Sequence, residues 1–138
     1  MEQSGLILID TSVWINYIRK NKPVLEDLLQ EETVLTHPFV LGELLLGHLK
    51  PESETYQMLR ELPTITQASD EEVLCFIEER KLSSTGIGLV DTHLLASCLV
   101  HGARFWTDDK ALDKVAQRLH IAIKVYRWTK DGDGYRFD

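Results

Sequence analysis

The chain has 138 residues, of which 43% are hydrophobic and 27% charged, and its formal net charge at pH 7 is −7. This length and composition indicate a single domain with one hydrophobic core. The apolar run at residues 6–9 is too short for a signal peptide or a membrane span, so we expect a soluble, cytoplasmic protein without a membrane partner.

Short apolar runs alternate with longer amphipathic stretches along the chain. Residues 6–9 are continuously apolar, which is typical of a strand buried on both faces of a parallel sheet. Thr11 and Ser12 are natural N-caps for the following helix, and Pro23 opens another. The first half is predicted to contain, in order, a strand at 6–9, a helix after 11–12, a helix from Pro23, a strand at 33–36, a helix at 39–46 that ends at Gly47 and a helix at 51–62.

The second half has equally clear boundary signals. Ser69 and Glu72 have the spacing of a capping box, and Gly102 follows the last residue of a helical pattern. The predicted elements are a short strand at 64–66, a helix at 70–80, a loop at 83–88, a helix at 89–101, a strand at 104–107, a helix at 110–119 and a last strand at 121–126. This alternation predicts an α/β domain with a mostly parallel sheet, followed by a polar, loose tail.

Cysteine and histidine give no sign of a metal site. Cys75 and Cys98 lie in apolar helical patterns and form no Cys-x-x-Cys pair, so we expect two buried free thiols. The five histidines show no zinc-binding spacing, and His93, two residues after Asp91, is the best placed of them as a ligand.

Acidic residues stand where two predicted strands end. Asp10 immediately follows the first strand, and Thr107, Asp108 and Asp109 stand at the end of the strand near 104–107. Ligands of parallel sheets bind outside the carboxyl ends of the strands, at the point where strand order reverses. If these two strands are neighbours, their acids meet at that point.

Two further acids, Glu43 and Asp91, are predicted on apolar helix faces, with no Lys or Arg three or four residues away. Each acid alone has an ordinary explanation. Asp10 or Asp109 could cap a helix, Asp91 could favour a helix N-terminus, and Glu43 could be solvated. Two acids at strand ends combined with two on apolar faces are better explained by convergence at one site.

Such a cluster predicts a bound divalent cation. Several carboxylates within about 6 Å of one another cannot all ionise unaided, and their oxygens favour Mg²⁺ or Mn²⁺ over zinc. The arrangement suits phosphodiester hydrolysis, in which a metal activates water, neutralises the phosphate and stabilises the leaving oxygen. Ser12 and Thr107 would then orient a carboxylate or a metal-bound water.

The negative net charge is unusual for a protein that binds nucleic acid. Its distribution is uneven, because residues 1–102 contain 7 Lys and Arg against 16 Asp and Glu, whereas residues 103–138 contain 8 against 6. Cations bound among the acids would neutralise part of the excess. The uneven distribution therefore weakens the objection that the negative charge raises against a nucleic-acid substrate, without removing that objection.

Four segments resemble the motifs of PIN-domain nucleases, in the same order and across residues 6 to about 125. They are residues 10–15 with Asp10, 40–44 with Glu43, 88–96 with Asp91 and 106–112 with Asp109. The resemblance implies that these four acids are catalytic metal ligands. The Thr-x-Asp spacing selects Asp109, but Asp108 could also contribute, beside Ser12 and Thr107 around the ligands. It also implies a PIN domain at 1–128 and a short polar tail at 129–138. The expected fold is PIN-like and three-layered, with a central, mostly parallel sheet of four to five strands flanked by helices.

The small single-domain form is similar to the VapC toxins of VapBC toxin–antitoxin pairs. This similarity implies an Mg²⁺- or Mn²⁺-dependent endoribonuclease that cleaves tRNA or rRNA, forms a homodimer and is blocked by a VapB-type antitoxin. Two alternatives stay open: a housekeeping PIN nuclease in RNA processing, and an inactive PIN module that only binds RNA or protein.

Overall fold

The central sheet has three parallel strands in the order β2-β1-β3. The computed structural model describes residues 5–20, 23–123, 125–127 and 135–137. The strands are β1 (Ile7–Ile9), β2 (Val34–Leu35) and β3 (Arg104–Trp106). The predictions of an α/β domain with a parallel sheet, and of the neighbouring strands β1 and β3, are therefore confirmed.

Seven helices flank this sheet in the part of the chain that the structure describes. They are α1 (Thr11–Lys20), α2 (Pro23–Gln30), α3 (Pro38–Gly47), α4 (Glu54–Arg60), α5 (Asp70–Glu79), α6 (Leu89–His101) and α7 (Lys110–Arg118). The capping box of Ser69 and Glu72 begins α5, and Gly102 ends α6 with a φ of 82°, a left-handed conformation that suits glycine. The helix predicted at 51–62 is shorter, because the Ser53 side chain accepts a hydrogen bond from the Tyr56 N–H and starts the helix there.

The buried strand β1 lies in the middle of the three-stranded sheet. Ile7, Leu8 and Ile9 are all buried, as the continuous apolar run predicted. At the end of the strand, the Asp10 N–H donates to the Trp106 carbonyl at 2.9 Å, so the chains leaving β1 and β3 stay side by side. This pairing brings the two segments that follow β1 and β3 to the same edge of the sheet.

The outer parts of the sheet are less regular than predicted. Among the described residues the parallel sheet has three strands, fewer than the four to five predicted, because the segments at 64–66 and 121–123 contribute only single parallel bridges, from Thr64 to Thr36 and from Ala122 to Phe105. The end of the strand predicted at 121–126 does form a strand, but in a different sheet. A second sheet pairs β4 (Val125–Arg127) antiparallel with β5 (Tyr135–Phe137). The prediction that the tail is loose is wrong for β5, whose backbone pairs with β4. The predicted domain boundary at residue 128 lies outside the described residues and stays a prediction.

The prediction of two buried thiols is half correct. Cys98 is buried, and burial raises the pKa of its thiol. Cys75 is exposed, because it lies on the solvent side of α5, where its Sγ donates to Glu79 Oε1 at 3.3 Å. Within the described ranges, no helix combines the length and apolarity needed to cross a bilayer.

His37 makes the stability of the fold dependent on pH. Its side chain is 1% exposed at the N-cap of α3, and Nδ1 accepts a hydrogen bond from the Phe39 N–H at 3.0 Å. Burial, with a contribution from His93, lowers the pKa of His37 from 6.5 to about 4. Between these two values the unfolded chain binds more protons than the folded one. The free energy of unfolding should therefore fall by about 3 kcal/mol as pH drops through this window.

A His37→Asn variant isolates this effect, because asparagine can cap the helix without titrating. Urea unfolding of both proteins between pH 7 and pH 4 should show a smaller pH dependence in the variant. The same pH dependence in both would mean that His37 is not the group responsible.

Candidate functional site

Asp10 lies at the carboxyl end of β1 and is almost fully buried. Its carboxylate oxygen Oδ2 accepts two hydrogen bonds, from Ser12 Oγ at 2.8 Å and from Thr107 Oγ1 at 2.7 Å. Only 5% of Asp10 is exposed to solvent. A buried carboxylate requires such donors, so the two hydroxyl groups hold this side chain in one orientation.

The same two hydroxyl groups connect the turn after β1 to the turn after β3. Ser12 Oγ accepts from the Asp108 N–H at 3.0 Å, and Thr107 Oγ1 accepts from the Asp109 N–H at 3.1 Å. The two hydroxyl oxygens are 3.2 Å apart. Each hydroxyl group thus accepts a bond from the backbone and donates to Asp10, which places Asp10, Asp108 and Asp109 around one hydrogen-bond network.

Asp108 and Asp109 have different roles in this network. Asp109 is the N-cap of α7, and its Oδ1 accepts from the Leu112 N–H at 3.0 Å. Asp108 Oδ2 accepts from Asn16 Nδ2 at 2.7 Å. The capping interpretation of Asp109 is therefore correct for one of its carboxylate oxygens. The same hydrogen bond also fixes the position of the second carboxylate oxygen of Asp109, Oδ2.

Glu43 reaches the site from α3, which packs against α1. Its Oε1 accepts a hydrogen bond from Thr11 Oγ1 at 2.8 Å, so the residue directly after Asp10 orients it. Glu43 is exposed, and the expectation that it sits among apolar side chains is wrong. The helix Pro38–Gly47 is so rich in leucine that its buried face could not be identified from spacing alone.

Asp91 is influenced by the charges of the other three acids. It lies in the first turn of α6, is partly buried, and its Oδ2 accepts from the Gly88 N–H at 3.4 Å. Burial raises the pKa of the Asp91 carboxyl, and so do the negative charges of Asp10, Asp109 and Glu43, whereas the Gly88 bond lowers it. Because charges act strongly only at short range, Asp91 lies within electrostatic range of the other three acids.

The chemistry of these donors fits a hard divalent cation. The carboxylates and hydroxyl groups offer only oxygen, which suits Mg²⁺ or Mn²⁺ better than zinc. Considering the described residues alone, no three His, Cys, Asp or Glu side chains stand close enough to hold an ion as they are. Hydrogen bonds within the protein already engage Asp10, Glu43 and Asp109.

Two polar residues of this site were not recognised in the sequence as part of it: Thr11, which orients Glu43, and Asn16, which binds Asp108. Asn16 follows Ser12 by four residues, so both lie on one face of α1, and that spacing was the available signal. His93, the histidine that the sequence placed best as a ligand, contacts Phe39 and Asp70. Its ring packs edge-on against Phe39, and its Nε2 lies 3.9 Å from Asp70 Oδ1.

Comparison with known proteins identifies the family. The PIN domain model matches residues 7–118. Two similar proteins, each named Ribonuclease VapC32, come from Mycobacterium tuberculosis strains CDC 1551 / Oshkosh and ATCC 25618 / H37Rv. Each is 38% identical over 119 residues, which cover 86% of this chain and 96% of the relative. The chain therefore belongs to the PIN-domain family and, within it, to the VapC group.

Proposed function

We propose that this protein is an Mg²⁺- or Mn²⁺-dependent endoribonuclease that acts as the toxin of a type II toxin–antitoxin pair in the cytoplasm. The observation that carries the proposal is the hydrogen-bond network that holds Asp10 and Asp109 together at the carboxyl end of β1, with Glu43 oriented by the adjacent Thr11. Asp91 joins this group, because the charges of Asp10, Asp109 and Glu43 raise the pKa of its carboxyl. A carboxyl whose ionisation is opposed by three neighbouring negative charges is an arrangement that a divalent cation stabilises. The names of the two relatives support RNA as the substrate.

Asp10, Glu43, Asp91 and Asp109 are the residues that would hold the ion. When bound, it supplies a Lewis acid that activates water and offsets the charge of the phosphodiester. Ser12 and Thr107 keep the Asp10 carboxylate in place, and the N-terminus of α7 does the same for Asp109. Because these side chains are oriented before substrate arrives, little reorganisation is needed at the moment of reaction.

The test of this function is cleavage of tRNA and rRNA by the purified protein. We expect cleavage with Mg²⁺ or Mn²⁺, no cleavage with EDTA, and new RNA 5′ ends in cells after brief expression of the protein. Cleavage that persists in EDTA would contradict the metal-dependent mechanism, and an absence of cleavage with every divalent ion would favour the inactive binding module.

The proposed partners are an RNA substrate, a VapB-type antitoxin and a second copy of the chain. The exposed side chains of Leu45 and Leu46, the latter 89% exposed, support a protein–protein contact on α3. Co-purification with the product of a neighbouring gene for a small DNA-binding protein separates the toxin from a housekeeping nuclease. Light scattering of the isolated chain gives its oligomeric state.

Thr107 is expected to affect the site through Asp10. Replacing Thr107 with valine removes the buried donor to Asp10 Oδ2 and the acceptor for the Asp109 N–H. Loss of such a supporting hydrogen bond typically weakens metal affinity or activity by about 10–100-fold. Calorimetric titration with Mn²⁺ should show this loss in Thr107→Val and near wild-type affinity in Thr107→Ser, which keeps the hydroxyl group. Equal affinity in both variants would contradict this positioning role.

A further inference from the structure

A cavity of about 600 Å³ lies between α7 and the loop at residues 83–88. Three of its lining residues are basic, namely Lys110, Lys114 and Arg118, and Ser84 and Thr85 form the opposite wall. All three basic residues are exposed. In a chain with a net charge of −7, this concentration of positive charge calls for an explanation.

The basic residues repeat every four positions along α7. They therefore share one face of the helix and follow one another at steps of about 6 Å along its axis. Like charges at this spacing destabilise a helix, and no ion pair with another described residue offsets the charge of Lys110 or Lys114. The interval is similar to that between successive phosphates of an extended nucleic-acid strand.

Both walls of the cavity lead to the acidic site. Lys110 directly follows Asp109, so the basic face begins where that carboxylate caps the helix. The opposite wall continues to Gly88, whose N–H donates to Asp91. A chain of phosphates lying along the basic face would therefore extend toward Asp109 at the start of α7.

The walls are held in place by contacts of their own. Arg118 Nη2 donates to the Arg80 carbonyl at 3.0 Å, which uses one of its five N–H donors and anchors the guanidinium group. Thr85 Oγ1 donates to the Leu82 carbonyl at 2.6 Å, and Ser84 adopts a φ of 66°, a left-handed conformation that is uncommon for serine. The loop thus has a defined and locally strained shape at the edge of the cavity.

We propose that this cavity binds the phosphate backbone of the RNA substrate beside the scissile bond, with Lys110, Lys114 and Arg118 each facing one phosphate. The identity of the polyanion rests on the proposed ribonuclease function. The binding is independent of sequence, because these residues present charge to phosphates rather than donors and acceptors to bases. It explains how an acidic protein attracts RNA to an acidic site.

The test measures binding of a fluorescein-labelled single-stranded RNA oligonucleotide in EDTA, where no cleavage occurs, over a range of salt concentrations. The proteins are the wild type, Lys110→Gln, Lys114→Gln, the double variant, and Lys50→Gln as an exposed control outside the cavity. Each neutralised contact should reduce the slope of log K against log salt by about 0.7 and weaken binding roughly fivefold at 0.1 M salt. The double variant should lose about twice the slope, and Lys50→Gln should match the wild type.

A wild-type slope in the double variant would overturn the proposal. Binding of poly-L-glutamate, an acidic polypeptide, is measured in the same way. If the double variant lost binding to poly-L-glutamate while its RNA binding stayed unchanged, the proposal would also be overturned, because the cavity would then bind an acidic polypeptide. Mn²⁺ affinity of the same proteins separates this inference from the proposed function. If the wild type binds no Mn²⁺, the metal-dependent function fails, while the RNA measurement still tests the cavity.

Discussion

Replacing Asp10 with asparagine is expected to reduce metal-dependent RNA cleavage by about 10²–10³-fold or more while leaving the fold intact. Asparagine has nearly the same shape, and its carbonyl oxygen can still accept the hydrogen bonds from Ser12 and Thr107. What is lost is the buried negative charge at the end of β1. Cleavage rates and thermal unfolding of the two proteins measure the two parts of this expectation.

The matched control is Asp27→Asn, which removes an exposed carboxylate from α2, a helix that contributes none of the four acids. It should cleave RNA at the wild-type rate. In cells, the wild type and Asp27→Asn should inhibit growth, whereas Asp10→Asn should not. If purified Asp10→Asn, shown to contain no contaminating nuclease, cleaves RNA as fast as the wild type, Asp10 has no part in the reaction.

Replacing Asp91 with asparagine is expected to abolish cleavage and, in the absence of metal, to make the protein more stable than the wild type at pH 7. Burial and the charges of Asp10, Asp109 and Glu43 raise the pKa of Asp91 in the folded state. The folded protein therefore binds a proton more readily than the unfolded chain. The contribution of this carboxyl to stability is largest at low pH and is lost as pH rises through the raised pKa. Asparagine does not ionise and avoids that loss.

Urea unfolding in EDTA at pH 7 measures the expected gain. Added Mn²⁺ should then stabilise the wild type, because an ion that binds only the folded state shifts the unfolding equilibrium, and should stabilise Asp91→Asn much less. A variant that is less stable than the wild type in EDTA, and equally stabilised by Mn²⁺, would show that Asp91 is a structural residue.

Local sequence signals predicted most of the fold. The capping box at Ser69, Gly102 after α6 and the apolar run of β1 are short-range features, and each element begins or ends where they indicate. The outer strands were predicted less well. Thr64 and Ala122 form single bridges, whose extent depends on how the sheet edge packs rather than on nearby residues.

In the site, too, positions defined by nearby sequence were predicted, whereas contacts that depend on helix packing were not. Asp10 and Asp109 were predicted from their places after strands, because parallel pairing of β1 and β3 brings such positions together. The contact between Thr11 and Glu43 joins residues 32 positions apart and depends on the packing of α1 against α3. The assignment of the four acids as metal ligands stays a prediction.

Calorimetric titration of the protein with Mn²⁺ at pH 7 tests the central claim most directly. The wild type and Asp27→Asn should bind with the same affinity, and Asp10→Asn and Asp91→Asn should each bind at least about tenfold more weakly. The same affinity in all of these proteins would contradict the claim that these acids share one divalent cation.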